Sequence, residues 1–107
     1  MDLTKKHCKP CEGGTAPLTP KQVSEYSLMV PGWTADNDKK IISRLYKFKN
    51  FSQALDFVNK VGQIAESENH HPDISFGWGK AEITLTTHAI NGLSDNDFIV
   101  AAKINNI

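Results

Sequence analysis

The strongest constraint on the fold is a change of hydrophobic period between residues 66 and 74. From Asn50 to about Glu66 the apolar residues recur at steps of three and four, which predicts a helix with one buried stripe. Apolar residues then alternate with polar ones from Ile74 to Trp78 and again from Ala81 to Leu85. Two alternating runs separated by Gly79-Lys80 predict an antiparallel hairpin with one buried face.

Local signals of the same kind predict the remaining elements. They are a threonine followed by proline, two runs rich in aromatic and β-branched residues, and a capping box of Ser94 with Asp97. The predicted elements are a helix over 20–29, strands near 33–34 and over 41–48, and a helix over 95–105. This order predicts an α+β domain with two layers, a four-stranded antiparallel sheet with helices packed on one face.

Residues 1–17 differ in composition from the rest of the chain. They contain two adjacent glycines and little apolar content, which predicts a flexible leader before a single domain over residues 18–107. Cys8 and Cys11 are the only cysteines and form a Cys-Lys-Pro-Cys motif beside His7. No second ligand pair follows at zinc-finger spacing, and no strand and helix flank the motif as in a redox site. We therefore expect reduced cysteines in the leader.

Charge and hydropathy exclude several classes of partner. Twelve basic and twelve acidic residues cancel within 107 residues. Arg44 is the only arginine, so bidentate recognition of several phosphates is not available. Nucleic acid and charged membrane surfaces are therefore not expected as partners. No apolar run approaches the roughly 18 residues needed to cross a bilayer, and no signal-peptide pattern opens the chain. The expected location is the cytoplasm.

The histidines are concentrated in one region. Three of the four lie between positions 70 and 88, at His70, His71 and His88. Pro72 biases His71 away from helical geometry, which predicts that the histidine pair lies on a loop after the long helix. Loops held between rigid elements often carry function. If strand pairing stays regular, His88 should extend the polar face of the return strand, next to Thr86.

Three roles are open for these imidazoles. They could hold zinc with an open fourth position, although adjacent histidines are poorly placed to converge on one ion. They could be structural, each bonded to a loop partner. They could transfer protons near neutral pH, with Glu66 one turn earlier as an orienting carboxylate. Asp97 is accounted for most simply as the third residue of its capping box.

The rest of the sequence restricts the chemistry further. No serine lies on a glycine-flanked elbow, and no glycine-rich phosphate loop is present. This favours proton transfer on a small neutral substrate. Phe76 and Trp78 could form a wall for a flat ring or belong to the core.

Several spaced motifs together resemble one family. They are Glu66-x-x-x-His70-His71-Pro72, then Trp78, then the run from Lys80 to His88, then Gly92-Leu-Ser-Asp-x-Asp97. In this register the chain resembles the pterin-4a-carbinolamine dehydratases from about Leu18 to its end. The resemblance implies a two-layer α+β fold and dehydration of 4a-hydroxytetrahydropterins, such as 4a-hydroxytetrahydrobiopterin, to quinonoid dihydropterins. It also implies a homodimer or homotetramer that uses no metal and no cofactor.

The resemblance further implies roles for individual residues. His70, His71 and His88 are expected to be catalytic, with Glu66 and Asp97 in support. Trp78, Thr86 and Thr87 are expected to bind the substrate. The alternative is a non-enzymatic role, in which the same domain serves as a dimerisation module or a transcriptional coactivator.

Overall fold

The structure is a computed structural model that describes residues 2–10 and 15–107. Its elements confirm the predicted α+β order of helices and strands. The helices are α1 (Pro20–Ser27), α2 (Phe51–Glu68) and α3 (Asp95–Asn105), and the strands are β1 (Thr34–Ala35), β2 (Ile42–Lys47), β3 (Asp73–Gly77) and β4 (Lys80–Leu85). Two short 3₁₀ helices add Leu3–Lys5 and His88–Ile90.

The four strands form one antiparallel sheet in the order β1-β2-β4-β3. β4 therefore lies between β2 and β3, and its residues alternate between the two faces of the sheet. Ala81, Ile83 and Leu85 are buried, while Glu82 is exposed on the other face. This confirms the alternation predicted for the return strand and the placement of the helices on one side.

The ends of α2 are set by its sequence. Asn50 Oδ1 accepts a hydrogen bond from the Gln53 N–H at 2.8 Å and caps the first turn. The predicted stripe is buried along the helix, including Phe57 and Val61. The helix ends where Asn69 adopts a left-handed conformation with φ 51°, which asparagine tolerates better than most residues. This reversal brings the next residue, His70, back towards the body of the domain, where its N–H donates to the Ala65 carbonyl at 3.2 Å.

Helix α3 is the most enclosed element. Residues 96–102 and residue 104 are all buried. The sheet and α2 do not enclose it alone, because residues 2–10 pack on it with Leu3 buried. We call residues 2–10 the N-terminal strap. The sequence predicts a flexible leader here; in the structure this part of it is docked, while Cys11 and its neighbours to residue 14 lie outside the described residues.

The chain departs from the predicted regular pairing after β4. The strand ends at Leu85, and Thr87 forms an isolated bridge with Gly92 around the 3₁₀ helix. A Cβ at Gly92 would lie 2.7 Å from the Pro17 Cβ, so a side chain at this position would require Pro17 or the backbone to move. The expectation that His88 extends the polar face of the strand is therefore wrong, because His88 begins the 3₁₀ helix instead. In the described ranges, no helix combines the length and the apolar character needed to span a membrane.

Candidate functional site

The three predicted histidines meet at one cleft of about 360 Å³. This volume lies within the usual range for small-molecule sites. The cleft is formed by the end of α2, the loop after it, the turn after β4, the start of α3 and the N-terminal strap. Its lining residues are Cys8, Lys9, Pro10, Glu68, Asn69, His70, His71, Thr86, Thr87, His88, Ala89 and Asn96. A second cleft, of about 470 Å³, is lined by the strap and the start of α3 and contains none of these three histidines.

His70 is held by a buried carboxylate. Its Nε2 lies 2.6 Å from Asp97 Oδ1, and only 12% of the His70 side chain and none of the Asp97 side chain is exposed. An ionised carboxylate can only accept hydrogen bonds, so the neutral imidazole carries its proton on Nε2. His70 Nδ1 is then the nitrogen with a free lone pair. The arrangement fixes both the tautomer and the orientation of the ring.

Asp97 is itself fixed by two further donors. Its Oδ2 accepts from the Thr87 hydroxyl at 2.7 Å and from the Ser94 N–H at 3.0 Å. Ser94 Oγ lies 2.8 Å from Thr87 Oγ1. The predicted capping box is thus confirmed, but it accounts for one carboxylate oxygen only. The other oxygen serves His70, so the cap of α3 and the orientation of an imidazole depend on the same side chain.

His71 has a different carboxylate partner in a more exposed position. Its Nε2 pairs with Glu66 Oε2 on the last turns of α2. More than half of the His71 side chain is exposed, compared with one eighth for His70. The two neighbouring imidazoles therefore bond to different carboxylates while both line the cleft. Neighbouring side chains diverge in regular helices and strands, so the irregular backbone before Pro72 is what lets both rings line one cleft.

His88 reaches the cleft from the opposite part of the sequence. It is exposed at the start of the 3₁₀ helix, where its backbone carbonyl accepts from the Asn91 N–H at 3.1 Å. Within the described residues, no hydrogen bond to its imidazole is found. Both ring nitrogens of His88 therefore remain free to contact a ligand in the cleft.

A charged cluster at the end of α2 closes the side of the cleft next to the strap. Glu68 is buried and accepts from the Cys8 N–H at 2.8 Å and from Lys103 Nζ at 2.6 Å, and it pairs with His7 at 3.0 Å. Burial alone would raise the pKa of Glu68, but the bonds from Lys103, Cys8 and His7 outweigh it and lower the pKa to about 2. Sequence reasoning missed this cluster, because the partners of Glu68 lie 35 to 61 residues away from it in the chain.

The surroundings of Cys8 disfavour the reactive thiolate form. Burial first, and then the charge of Glu68, raises the pKa of its thiol to about 12. Its Sγ donates to the Asn96 carbonyl at 3.6 Å. A thiolate is therefore disfavoured at Cys8. In the described part of the chain no three His, Cys, Asp or Glu side chains are arranged to hold a metal ion. A zinc site that used Cys11 would include a residue outside the described ranges.

The structure brings together most of the predicted site residues but not all. His70, His71 and His88 line the cleft with Thr86 and Thr87, while Glu66 and Asp97 support two of the histidines. The Thr86 hydroxyl donates to the Lys40 carbonyl at 2.6 Å.

Trp78 lies outside this group. It is 72% exposed at the turn of the β3-β4 hairpin, whereas His71 and Thr86 flank the other end of the same strands. Strands of this length hold the two ends roughly 15 Å apart.

Comparison with known proteins finds several similar chains. Residues 16–107 match the sequence model of the family described as Pterin 4 alpha carbinolamine dehydratase. A protein of Halorhodospira halophila, provisionally named pterin-4-alpha-carbinolamine dehydratase, is 51% identical over 97% of this chain and 95% of its own length. A protein of Rubrobacter xylanophilus with the same provisional name is 48% identical over 99% of this chain and 98% of its own.

A solved structure is also similar. The transcriptional coactivator/pterin dehydratase from Brucella melitensis superposes with a TM-score of 0.79 and 32% identity, covering 84% of this chain and 96% of that one. The similarity therefore extends over nearly the whole fold.

Proposed function

The chain belongs to the pterin 4 alpha carbinolamine dehydratase family, and we propose that it dehydrates 4a-hydroxytetrahydropterins to quinonoid dihydropterins by histidine acid–base catalysis. 4a-Hydroxytetrahydrobiopterin is the substrate we expect. The observation that supports this most is the meeting of His70, His71 and His88 at one cleft, two of them held by carboxylates. The proposed activity belongs to the recycling of a pterin cofactor.

The reaction requires two proton transfers. The bond between the 4a carbon and its hydroxyl oxygen breaks, and the hydroxyl leaves as water after it receives a proton. The neighbouring ring nitrogen loses its proton, and its electrons form the new carbon–nitrogen double bond. Each correctly placed acid or base contributes about 10²–10⁴-fold to the rate. Imidazoles suit both tasks near neutral pH.

The surroundings of each histidine suggest how the tasks are divided. His70, with Nε2–H held by Asp97, presents Nδ1 as a proton acceptor in its neutral form. His71, oriented by Glu66, and His88, with no protein partner in the described residues, are the groups we propose to meet the leaving hydroxyl and the ring.

The threonines would have different tasks in this scheme. The hydroxyl of Thr87 already donates to Asp97, and that of Thr86 donates to the Lys40 carbonyl. Thr86 Oγ1 can therefore serve the polar edge of the pterin as an acceptor, together with backbone groups of the cleft. Trp78 has no task in this scheme, because it lies at the far end of the β3-β4 hairpin from the cleft.

We further propose that the reaction needs neither metal nor cofactor. The decisive assay uses freshly generated carbinolamine and compares the wild-type protein, a His71→Ala variant and wild type treated with a chelator. We expect His71→Ala to lower turnover by about 10²–10⁴-fold, the contribution of one acid or base. We expect the chelated protein to keep its activity. Wild-type rates no faster than the spontaneous reaction would end the dehydratase proposal, and chelator loss reversed by zinc would support a metal site.

A second, non-enzymatic function is suggested by one comparison. The Brucella melitensis protein is called a transcriptional coactivator as well as a pterin dehydratase. We propose as an alternative that this domain docks on another protein or serves as a dimerisation module. Pterin binding separates the two functions, since a docking module need not bind a pterin.

We also propose that the protein is a cytoplasmic homodimer or homotetramer. The edge strand β3 and the exposed apolar residues Leu45 and Phe76 of the sheet support self-association. Light scattering at micromolar concentration tests the assembly, and a monomer mass would refute it. The cytoplasmic location rests on sequence composition alone, and fractionation of cells with an antibody against the protein tests it.

A further inference from the structure

We propose that the N-terminal strap forms a substrate-binding wall of the histidine cleft, and that Glu68 and Asn96 are positioning residues that hold this wall in place. The strap residues Cys8, Lys9 and Pro10 line the same cleft as the three histidines. The nature of the ligand, a flat pterin ring, rests on the proposed function. The role of the strap as a wall rests on the contacts described below.

The first residues of the strap are fixed by burial. Leu3 belongs to the hydrophobic core and lies in a 3₁₀ helix that packs on α3. Asp2 caps this turn, with its Oδ1 accepting from the Thr4 N–H at 3.0 Å. Burying a leucine side chain contributes more to the free energy of folding than a single surface contact does. The start of the strap is therefore attached to the domain before the chain reaches the cleft.

Glu68 provides the second attachment. One carboxylate oxygen accepts from the Cys8 N–H, and the other binds His7 and Lys103. The carboxylate thus joins the strap to α2, which carries Glu68, and to α3, which carries Lys103. Charged hydrogen bonds of this kind are stronger than neutral ones. Glu68 also lies two residues before His70, so the strap is attached next to an imidazole of the cleft.

Asn96 provides the third attachment, one residue further along the strap. Its Oδ1 accepts from the Lys9 N–H at 3.0 Å and its Nδ2 donates to the Lys9 carbonyl at 2.5 Å. The side-chain amide therefore pairs with the backbone of Lys9 as another strand would. Asn96 precedes Asp97, the partner of His70. Both polar attachments of the strap thus lie beside the pair of His70 and Asp97, which is more buried than the pair of His71 and Glu66.

This arrangement couples ligand binding to strap docking. A pterin that contacts the histidines and the strap together binds more tightly when the strap is docked. By thermodynamic reciprocity, the same ligand must stabilise the docked strap. Loss of an attachment should weaken substrate binding and leave the proton-transfer groups in place, which raises KM with little change in kcat.

Trypsin digestion of the full chain tests the coupling directly. Lys5 and Lys6 are exposed strap residues, and cleavage after them requires the strap to leave the domain locally. We expect saturating 7,8-dihydrobiopterin, used as an unreactive probe, to slow cleavage after Lys5 and Lys6 at least fivefold. Cleavage after Lys49, in the exposed turn before α2, serves as the internal control and should keep its rate.

Two variants test the positioning residues. In Glu68→Ala and Asn96→Ala, we expect faster cleavage after Lys6 and a KM raised about fivefold or more, with kcat within about twofold of wild type. Asn50→Ala is the matched control, because it removes the N-cap of α2 and destabilises the fold without touching the strap. Its KM should not change. Thermal unfolding of each variant verifies that it is folded.

The outcomes distinguish this inference from the proposed function. Suppose the pterin slows cleavage after Lys6 but the protein does not dehydrate the carbinolamine. That result would support the strap as a binding wall and refute the proposed dehydratase activity. Dehydratase activity with no protection by the pterin, or with an unchanged KM in both folded variants, would overturn the wall. If neither variant folds, protection in the wild-type protein alone decides the matter.

Discussion

Replacing Asp97 by asparagine tests the acid–base arrangement most directly. The carboxylate accepts from His70, Thr87 and Ser94 and has no exposed surface. An asparagine of the same shape can keep its oxygen towards Thr87 and Ser94. Its amide NH₂ then faces His70 Nε2 and requires a lone pair there. The imidazole must move its proton to Nδ1, so the nitrogen that accepted a proton in the cleft becomes a donor.

The expected cost differs between activity and stability. All three hydrogen bonds of the carboxylate lose their charge assistance. The substitution also removes the cost of burying a charge, so the free energy of unfolding should fall by only about 1–2 kcal/mol. Turnover should fall far more, by about 10²–10⁴-fold. His70 can accept a proton at Nδ1 only in the tautomer that carries its own proton on Nε2. A protonated imidazole would also be disfavoured opposite the NH₂ group. The substitution thus separates a loss of chemistry from a loss of fold.

The assay follows formation of the quinonoid product by stopped-flow absorbance, with the carbinolamine generated in place. Urea unfolding of the same samples gives their stability. Asp95→Asn is the matched control, since Asp95 is an exposed acid in the same turn of α3. It should keep wild-type turnover. If folded Asp97→Asn turns over within about threefold of wild type, far short of the loss expected for an acid or base, the proposed importance of the His70 tautomer is refuted.

Three further predictions concern stability and reactivity. The folded pKa of Glu68, about 2, lies below the ordinary 4.5, so the stability it contributes is fully present above about pH 4.5 and is lost as pH falls towards 2. The stability difference between wild type and Glu68→Gln, measured by urea unfolding, should therefore shrink over that range, and a constant difference would contradict the assignment. In thermal unfolding, Gly92→Ala should destabilise the domain by about 1–3 kcal/mol through its clash with Pro17. Gly62→Ala is the control, because an added Cβ there meets nothing within 4 Å, and it should stabilise the domain or leave its stability unchanged. Cys8, with its pKa raised to about 12 by burial, should react with iodoacetamide at pH 8 much more slowly in the native than in the unfolded chain; peptide mapping by mass spectrometry identifies the site, and equal rates would contradict its burial.

The sequence by itself determined the elements, because their signals are local. The apolar stripe from Ala54 to Ala65 and the alternation from Ala81 to Leu85 each report the period of one element. Asn50 and the pair Ser94 with Asp97 mark helix starts through bonds across three residues. Pro72 marks the loop of the histidine pair in the same local way. Fold class and the region of the site therefore required no knowledge of distant contacts.

Only the tertiary structure decided how the site is assembled. The bond from His70 to Asp97 joins residues 27 apart, and the bond from Cys8 to Glu68 joins residues 60 apart. Neither bond produces a periodic pattern in the sequence, because each depends on how α2, α3 and the strap pack together. Local reasoning therefore assigned Asp97 to its helix cap alone and extended β4 to His88. Packing gives the second oxygen of Asp97 to an imidazole, since burial requires a partner for each polar group whatever its distance along the chain. It also places His88 in a 3₁₀ helix instead of the strand.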